Sequence, residues 1–138
     1  MTLMQKTKII AEIGNNHNGN FKKALVGIIN SKKAGADFVK FQFITPEKLV
    51  TKKLKSLIKS KEKLQIQRLK KICLSLDQIK KLFLFSRKIK IGFGVSVFDT
   101  ESIKKLEKYT DFFKVASSDI NFYPMLKELS KSKKKVII

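Results

Sequence analysis

Lys40 and Gln42 stand two positions apart in the stretch DFVKFQF (37–43). In an extended segment, alternation places both on one face, with Val39, Phe41 and Phe43 on the other. An unpaired ammonium buried beside such residues costs roughly several kcal/mol or loses its proton. Lys40 therefore requires an anionic partner, and a bound ligand is the expected one. Polar groups recur where other apolar runs end. Glu12 closes KIIAEI (8–13), and Ser96 and Phe98 lie at the end of KIGFGVSV (90–97) and just beyond it. Lys114 sits among Phe112, Phe113 and Val115, with Ser117, Ser118 and Asp119 following. An edge strand facing water would explain Lys40 and Gln42 alone; the recurrence favours a shared pocket. Two ammonium groups with hydroxyl and amide donors suit a phosphorylated or carboxylated small molecule.

These groups need strands to carry them and helices to space the strands. Apolar runs at 8–13, 37–43, 90–97 and 111–117 read as strands, and the final KKVII begins like a fifth. Between them lie helical patterns. One follows Asn20 and stops at Gly35; one spans about 61–73; one starts at Ser75, which has capping-box spacing to Gln78. Asp99 caps another, and Pro124 opens the last. GNNHNGN (14–20) is a loop, and 45–60 reads as a polar excursion. Strand and helix alternation predicts an α/β fold with a parallel sheet. An open doubly wound sheet and a (β/α) barrel both begin this way.

The 138 residues are 43% hydrophobic, suited to one globular domain, with a net charge of +20. A charge of this size raises the prospect of nucleic acid as a partner. Yet the cations are nearly all lysine, with Arg68 and Arg87 the two exceptions. Sequence readers lean on arginine forks, and compositional bias is the simpler source of these lysines. The lysine runs near 52–55 and 131–135 read as solvated faces. No apolar run is long enough for a membrane span, and MTLMQKTKII, without a long apolar stretch or a small-residue cleavage site, does not read as a secretory signal. Cys73, the single cysteine, reads as a buried thiol in a reducing, cytoplasmic setting.

AEIGNNHNG (11–19), GADFVKFQ (35–42), FGVSVFD (93–99) and KVASSDINFYPML (114–126) together resemble the N-acetylneuraminate (sialic acid) synthase family, over nearly the whole chain. The resemblance implies a TIM (β/α)8 barrel, of which residues 1–138 would form the N-terminal half: four βα units and a fifth strand. It implies condensation of phosphoenolpyruvate with an N-acetylated hexosamine such as N-acetylmannosamine, giving a nonulosonic acid and phosphate. By the same resemblance, Lys40, Lys114 and Ser117 hold the phosphate or carboxylate of phosphoenolpyruvate. Gln42 and Ser96 are neighbouring donors, and Phe98 is a pocket wall. Glu12 lies near the reacting carbons. Asp119, where the family often has glutamate, handles sugar or water. The family uses a divalent metal, Mn2+ or Mg2+, whose ligands are expected outside these residues. His17, in the NHNG loop, is expected to bond backbone instead.

A full barrel needs about 200 residues or more. The second half-barrel and the family's small antifreeze-like domain are expected to be missing, leaving a fragment with weak or no activity alone. A homodimer or a complementing half-barrel would cover its sheet edges. Two other readings stand beside this one: another phosphoenolpyruvate-dependent aldol-type barrel, and a basic nucleic-acid-binding module.

Overall fold

The computed structural model describes residues 7–49 and 59–138. The expectations for the extreme N-terminus and for the lysine run at 52–55 fall outside them. Five parallel strands form one sheet: β1 (Ile10–Gly14), β2 (Phe38–Phe43), β3 (Gly92–Val97), β4 (Phe112–Lys114) and β5 (Lys135–Ile137). Their spatial order is β1-β2-β3-β4-β5, with each strand beside its neighbour in sequence.

That order decides between the two folds that the alternation left open. Right-handed crossovers stepping always in one direction put every helix on the same face of the sheet. A doubly wound sheet reverses direction and covers both faces. Here Ile28, Ile79, Ile103 and Met125, each from a different helix, join one core with Val39, Phe41, Phe93 and Val95 on a single sheet face. The protein is an α/β fold and forms a partial (β/α) barrel.

Local chemistry explains the helices. In α1 (Phe21–Lys33), Asn20 accepts a hydrogen bond from the Lys23 N–H, and Ala24 and Ile28 are buried one turn apart. A short α2 (Pro46–Leu49) interrupts the expected polar excursion, and α3 (Lys59–Ile72) ends it. In α4 (Leu76–Lys88) the capping box is complete: the Gln78 N–H donates to the Ser75 hydroxyl, and the Ser75 N–H donates to the Gln78 side chain. Asp99 caps α5 (Thr100–Leu106), and Pro124 lies in the first turn of α6 (Tyr123–Leu129). Cys73, expected to be buried, is only half-buried, just past the end of α3, a helix that among the described residues sends no side chain into the core cluster.

The two faces of the sheet differ in kind. Toward the helices, Val39, Phe41, Phe93, Val95, Val97 and Phe113 are fully buried. Each such side chain contributes about 1.5–3 kcal/mol. The other face is ordered in rows by the strand register. The first row is Ile10, Phe38 and Gly92. The second is Glu12, Lys40, Gly94, Phe112 and Lys135. The third, nearest the C-terminal ends, is Gln42, Ser96, Lys114 and Ile137.

Aromatic rings close the lower rows. A β-carbon on Gly92 would lie 2.0 Å from the Phe38 ring, and one on Gly94 would lie 2.0 Å from the Phe112 ring. The glycines are seats for these rings, which meet edge to face at 5.7 Å. Two aspartates set the strand starts alike. Asp37 accepts from the Ile9 N–H and from Lys8, and Asp111 accepts from the Phe93 N–H and from Arg87.

Candidate functional site

Polar groups gather in the upper two rows, where the strands end. Lys40 is 4% exposed. Its Nζ donates to Ser96 Oγ at 2.9 Å and pairs with Glu12 Oε2 at 2.8 Å. The anionic partner expected from a ligand is thus supplied within the chain, by Glu12. Glu12 is 58% exposed, so the pair is open to solvent on the carboxylate side. An incoming anion need displace only a solvated carboxylate.

A break in β1 makes that pair possible. Glu12 pairs with Lys40 but Gly14 pairs with Phe41, so Ile13 is an extra residue bulged out of the ladder. Ile13 then turns to the core while Glu12 stays on the open face. Gly14 has φ 53°, a left-handed conformation that costs glycine little.

Ser96 joins the two lysines. It bonds Lys40 and lies beside Lys114 in the register. Lys114 is half-buried, and its ammonium has no partner among the described residues. Gln42 completes the row, with its Oε1 accepting from Asn15 Nδ2 at 2.6 Å. Phe98 is half-buried just past β3. Ser117 and Asp119 begin and end a 3-10 turn after β4; Ser117 is exposed, and Asp119 has one buried oxygen without a partner. The structure therefore joins Glu12, Lys40 and Ser96 by direct bonds and aligns Gln42 and Lys114 with them. Phe98, Ser117 and Asp119 lie on the segments that leave the same strand ends, without bonds to the cluster.

Asn15 is the residue that the motifs did not single out. Its only sequence signal is its place directly after the glycine that ends β1.

His17 bonds backbone: the Gly19 N–H donates to its Nδ1 at 3.0 Å. The ring is buried and stacks on Phe41 at 5.9 Å. Burial lowers its pKa below the usual 6.5, against a weaker opposing pull from the Gly14 carbonyl. A histidine held neutral in the fold protonates first in the unfolded chain. Its stabilisation is full above about pH 6.5 and declines as pH falls toward the lowered folded value. Urea midpoints should therefore begin to fall as pH drops below about 6.5, and that first part of the fall should be missing in His17→Gln. No other histidine shares that window.

Asp99 shows the opposite balance. Burial pushes its carboxyl upward, but bonds from the Ser102 hydroxyl and N–H, with Lys48 nearby, hold it below the usual range. This cap fixes the turn after β3, with Val97 still in the strand.

Among the described residues, no three His, Cys, Asp or Glu side chains gather to hold a metal ion. A cavity of about 940 Å3 opens at the other end of the strands, lined by Phe38, Gly92, Phe112 and Lys135 among others. Its two carboxylates, Asp37 and Asp111, are already engaged with strand N–H groups and cations. The polar cluster is the better candidate, because among the described residues it sets the buried cation Lys40 beside Lys114, which has no partner there. No helix among the described residues is long and apolar enough to cross a membrane.

A family model described as the NeuB family matches residues 27–138. The chain is 36% identical over 141 residues to the N,N'-diacetyllegionaminic acid synthase of Campylobacter jejuni, covering 98% of this chain and 42% of that protein. It is 36% identical over 135 residues to the N-acetylneuraminate-9-phosphate synthase of Mus musculus, covering 94% and 38%. The N-acetylneuraminic acid (sialic acid) synthetase of Leptospira borgpetersenii, solved with citrate, superimposes with a TM-score of 0.80 at 26% identity, over 96% of this chain and 44% of that one. The chain thus spans about two fifths of the length of these relatives.

Proposed function

The chain belongs to the NeuB family, and from that premise we propose that it carries the phosphoenolpyruvate-binding part of a nonulosonic acid synthase. The phosphate and carboxylate of phosphoenolpyruvate seat against Lys40 and Lys114, with the hydroxyls of Ser96 and Ser117 as further donors. Gln42 adds an amide donor, and Phe98 forms a wall. C3 of the enol attacks the aldehyde carbon of an open-chain N-acetylated sugar, such as N-acetylmannosamine, forming the new C–C bond. Water adds at C2, and the C–O bond to phosphorus-bearing oxygen breaks as phosphate leaves. Glu12 lies near the reacting carbons, and Asp119 handles sugar or water.

One observation carries this reading. A buried ammonium, Lys40, faces away from the helices, bonded to a serine that lies beside a second lysine. Such a cation is costly unless an anion meets it. Glu12 meets it in the free chain, and phosphoenolpyruvate replaces Glu12 on binding.

Calorimetric titration of the chain with phosphoenolpyruvate tests the proposal. A Kd of about 1 μM–1 mM is expected, the span usual for metabolites, with competition by inorganic phosphate. A nucleic-acid module would instead bind DNA with a steep salt dependence and give no heat with phosphoenolpyruvate. That second result would overturn the proposal.

A further inference from the structure

Asn15 stands outside every role assigned so far, yet it makes the shortest side-chain bond in the polar row. Its Nδ2 donates to Gln42 Oε1 at 2.6 Å. The loop that carries it is held by its own backbone: the Asn16 N–H donates to the Ile13 carbonyl, and the Asn18 N–H donates to the Asn15 carbonyl. The neighbouring His17 is buried against Phe41. Asn15 is therefore a fixed donor, while Gln42 is a long side chain with a freely rotating terminal amide.

A primary amide engaged through its carbonyl must turn its NH2 the other way. Gln42 Nε2 has no partner among the described residues, and Gln42 is only half-buried, so its two protons are open to a ligand. The reverse arrangement is disfavoured. Asn15 Oδ1 is buried without a partner. Turning both amides around would bury the Asn15 NH2 there, leaving two donors unsatisfied in place of one acceptor.

We propose that Asn15 is a positioning residue that locks the Gln42 carboxamide with its NH2 turned away from Asn15 and open to a ligand, making this position select a ligand oxygen that accepts hydrogen bonds. The inference rests on the synthase reading above for its ligands: a carboxylate oxygen of phosphoenolpyruvate or the carbonyl oxygen of an N-acetylated sugar. Asn15→Asp reverses the lock. A carboxylate only accepts, so Gln42 rotates to donate to it and turns its carbonyl toward the ligand side.

Nitrogen-15 NMR of the full chain reads this directly, with the Gln42 amide assigned by its loss in Gln42→Leu. In the native chain the Gln42 NH2 should exchange with water like an exposed amide. In Asn15→Asp its protection should rise about tenfold. Separate titrations with phosphoenolpyruvate and with N-acetylmannosamine identify the source of the oxygen. The ligand that shifts the native Gln42 resonance should bind Asn15→Asp about tenfold more weakly. Asn15→Leu, which frees the amide without reversing it, should lose only about threefold. A merely structural Asn15 would give the reverse ranking, since aspartate preserves its shape. A protected Gln42 NH2 in the native chain, or unchanged protection in Asn15→Asp, overturns the lock. Native chain that binds neither ligand overturns the synthase reading, while the exchange data still decide the amide's orientation.

Discussion

Replacing Lys40 with methionine is expected to weaken phosphoenolpyruvate binding by at least about 30-fold while leaving the chain folded. The size follows from burial. Lys40 is 4% exposed, so an anion that meets it does so where water screens poorly. The structural cost is small by comparison. Methionine fills similar volume and removes the desolvation penalty of the ammonium. Ser96 loses its partner at 2.9 Å, whereas Glu12 is already largely solvated. These effects oppose one another, and urea denaturation should show a change below about 2 kcal/mol. Calorimetry with phosphoenolpyruvate reads the functional side. Native affinity in Lys40→Met would mean that the anion sits elsewhere.

Phe93→Ala should have the largest effect on stability, a loss of about 3–5 kcal/mol. Phe93 is fully buried at the centre of the helix-facing layer. It stacks on Phe41 at 5.3 Å and meets Phe83 edge to face at 6.0 Å. Its removal leaves a cavity that rigid strands cannot close. A total stability of about 5–15 kcal/mol makes this a large fraction. Urea unfolding measures it, with Phe112→Ala as the comparison on the other face. Phe112 sits over Gly94, outside the core cluster that the helices share with the sheet. A loss under about 1 kcal/mol for Phe93→Ala would show that the layer between sheet and helices is not the main source of stability.

The two variants separate the two faces of one sheet. The helix-facing side holds the fold together, and the opposite side holds the polar row. Strand β2 displays both within six residues, Val39 and Phe41 on one side and Lys40 and Gln42 on the other. That division follows from the strand's two-residue alternation, and it was legible in the sequence.

Local features were legible for the same reason. The caps at Asn20, Ser75 and Asp99 involve partners three positions away, so spacing alone announces them. The membership of the polar row was visible as residue types at strand ends. Its internal bonds were not. Lys40 and Ser96 are 56 positions apart, and Asn15 and Gln42 are 27 apart. Such pairs depend on register, which no short window contains.

By itself, then, the amino-acid order determined the alternating elements, their caps, the two-faced strands and the family motifs. Tertiary structure decided what alternation left open and bore out the barrel that the motifs implied: the strands run side by side in sequence, a barrel arc rather than a doubly wound sheet. It also decided that Glu12 answers Lys40 across a bulge at Ile13, and that Gly92 and Gly94 are seats for rings from adjacent strands. The physical reason is range. Alternation and capping act within a turn or a few residues, whereas strand order, ion pairing and ring packing arise only when distant segments are brought into register.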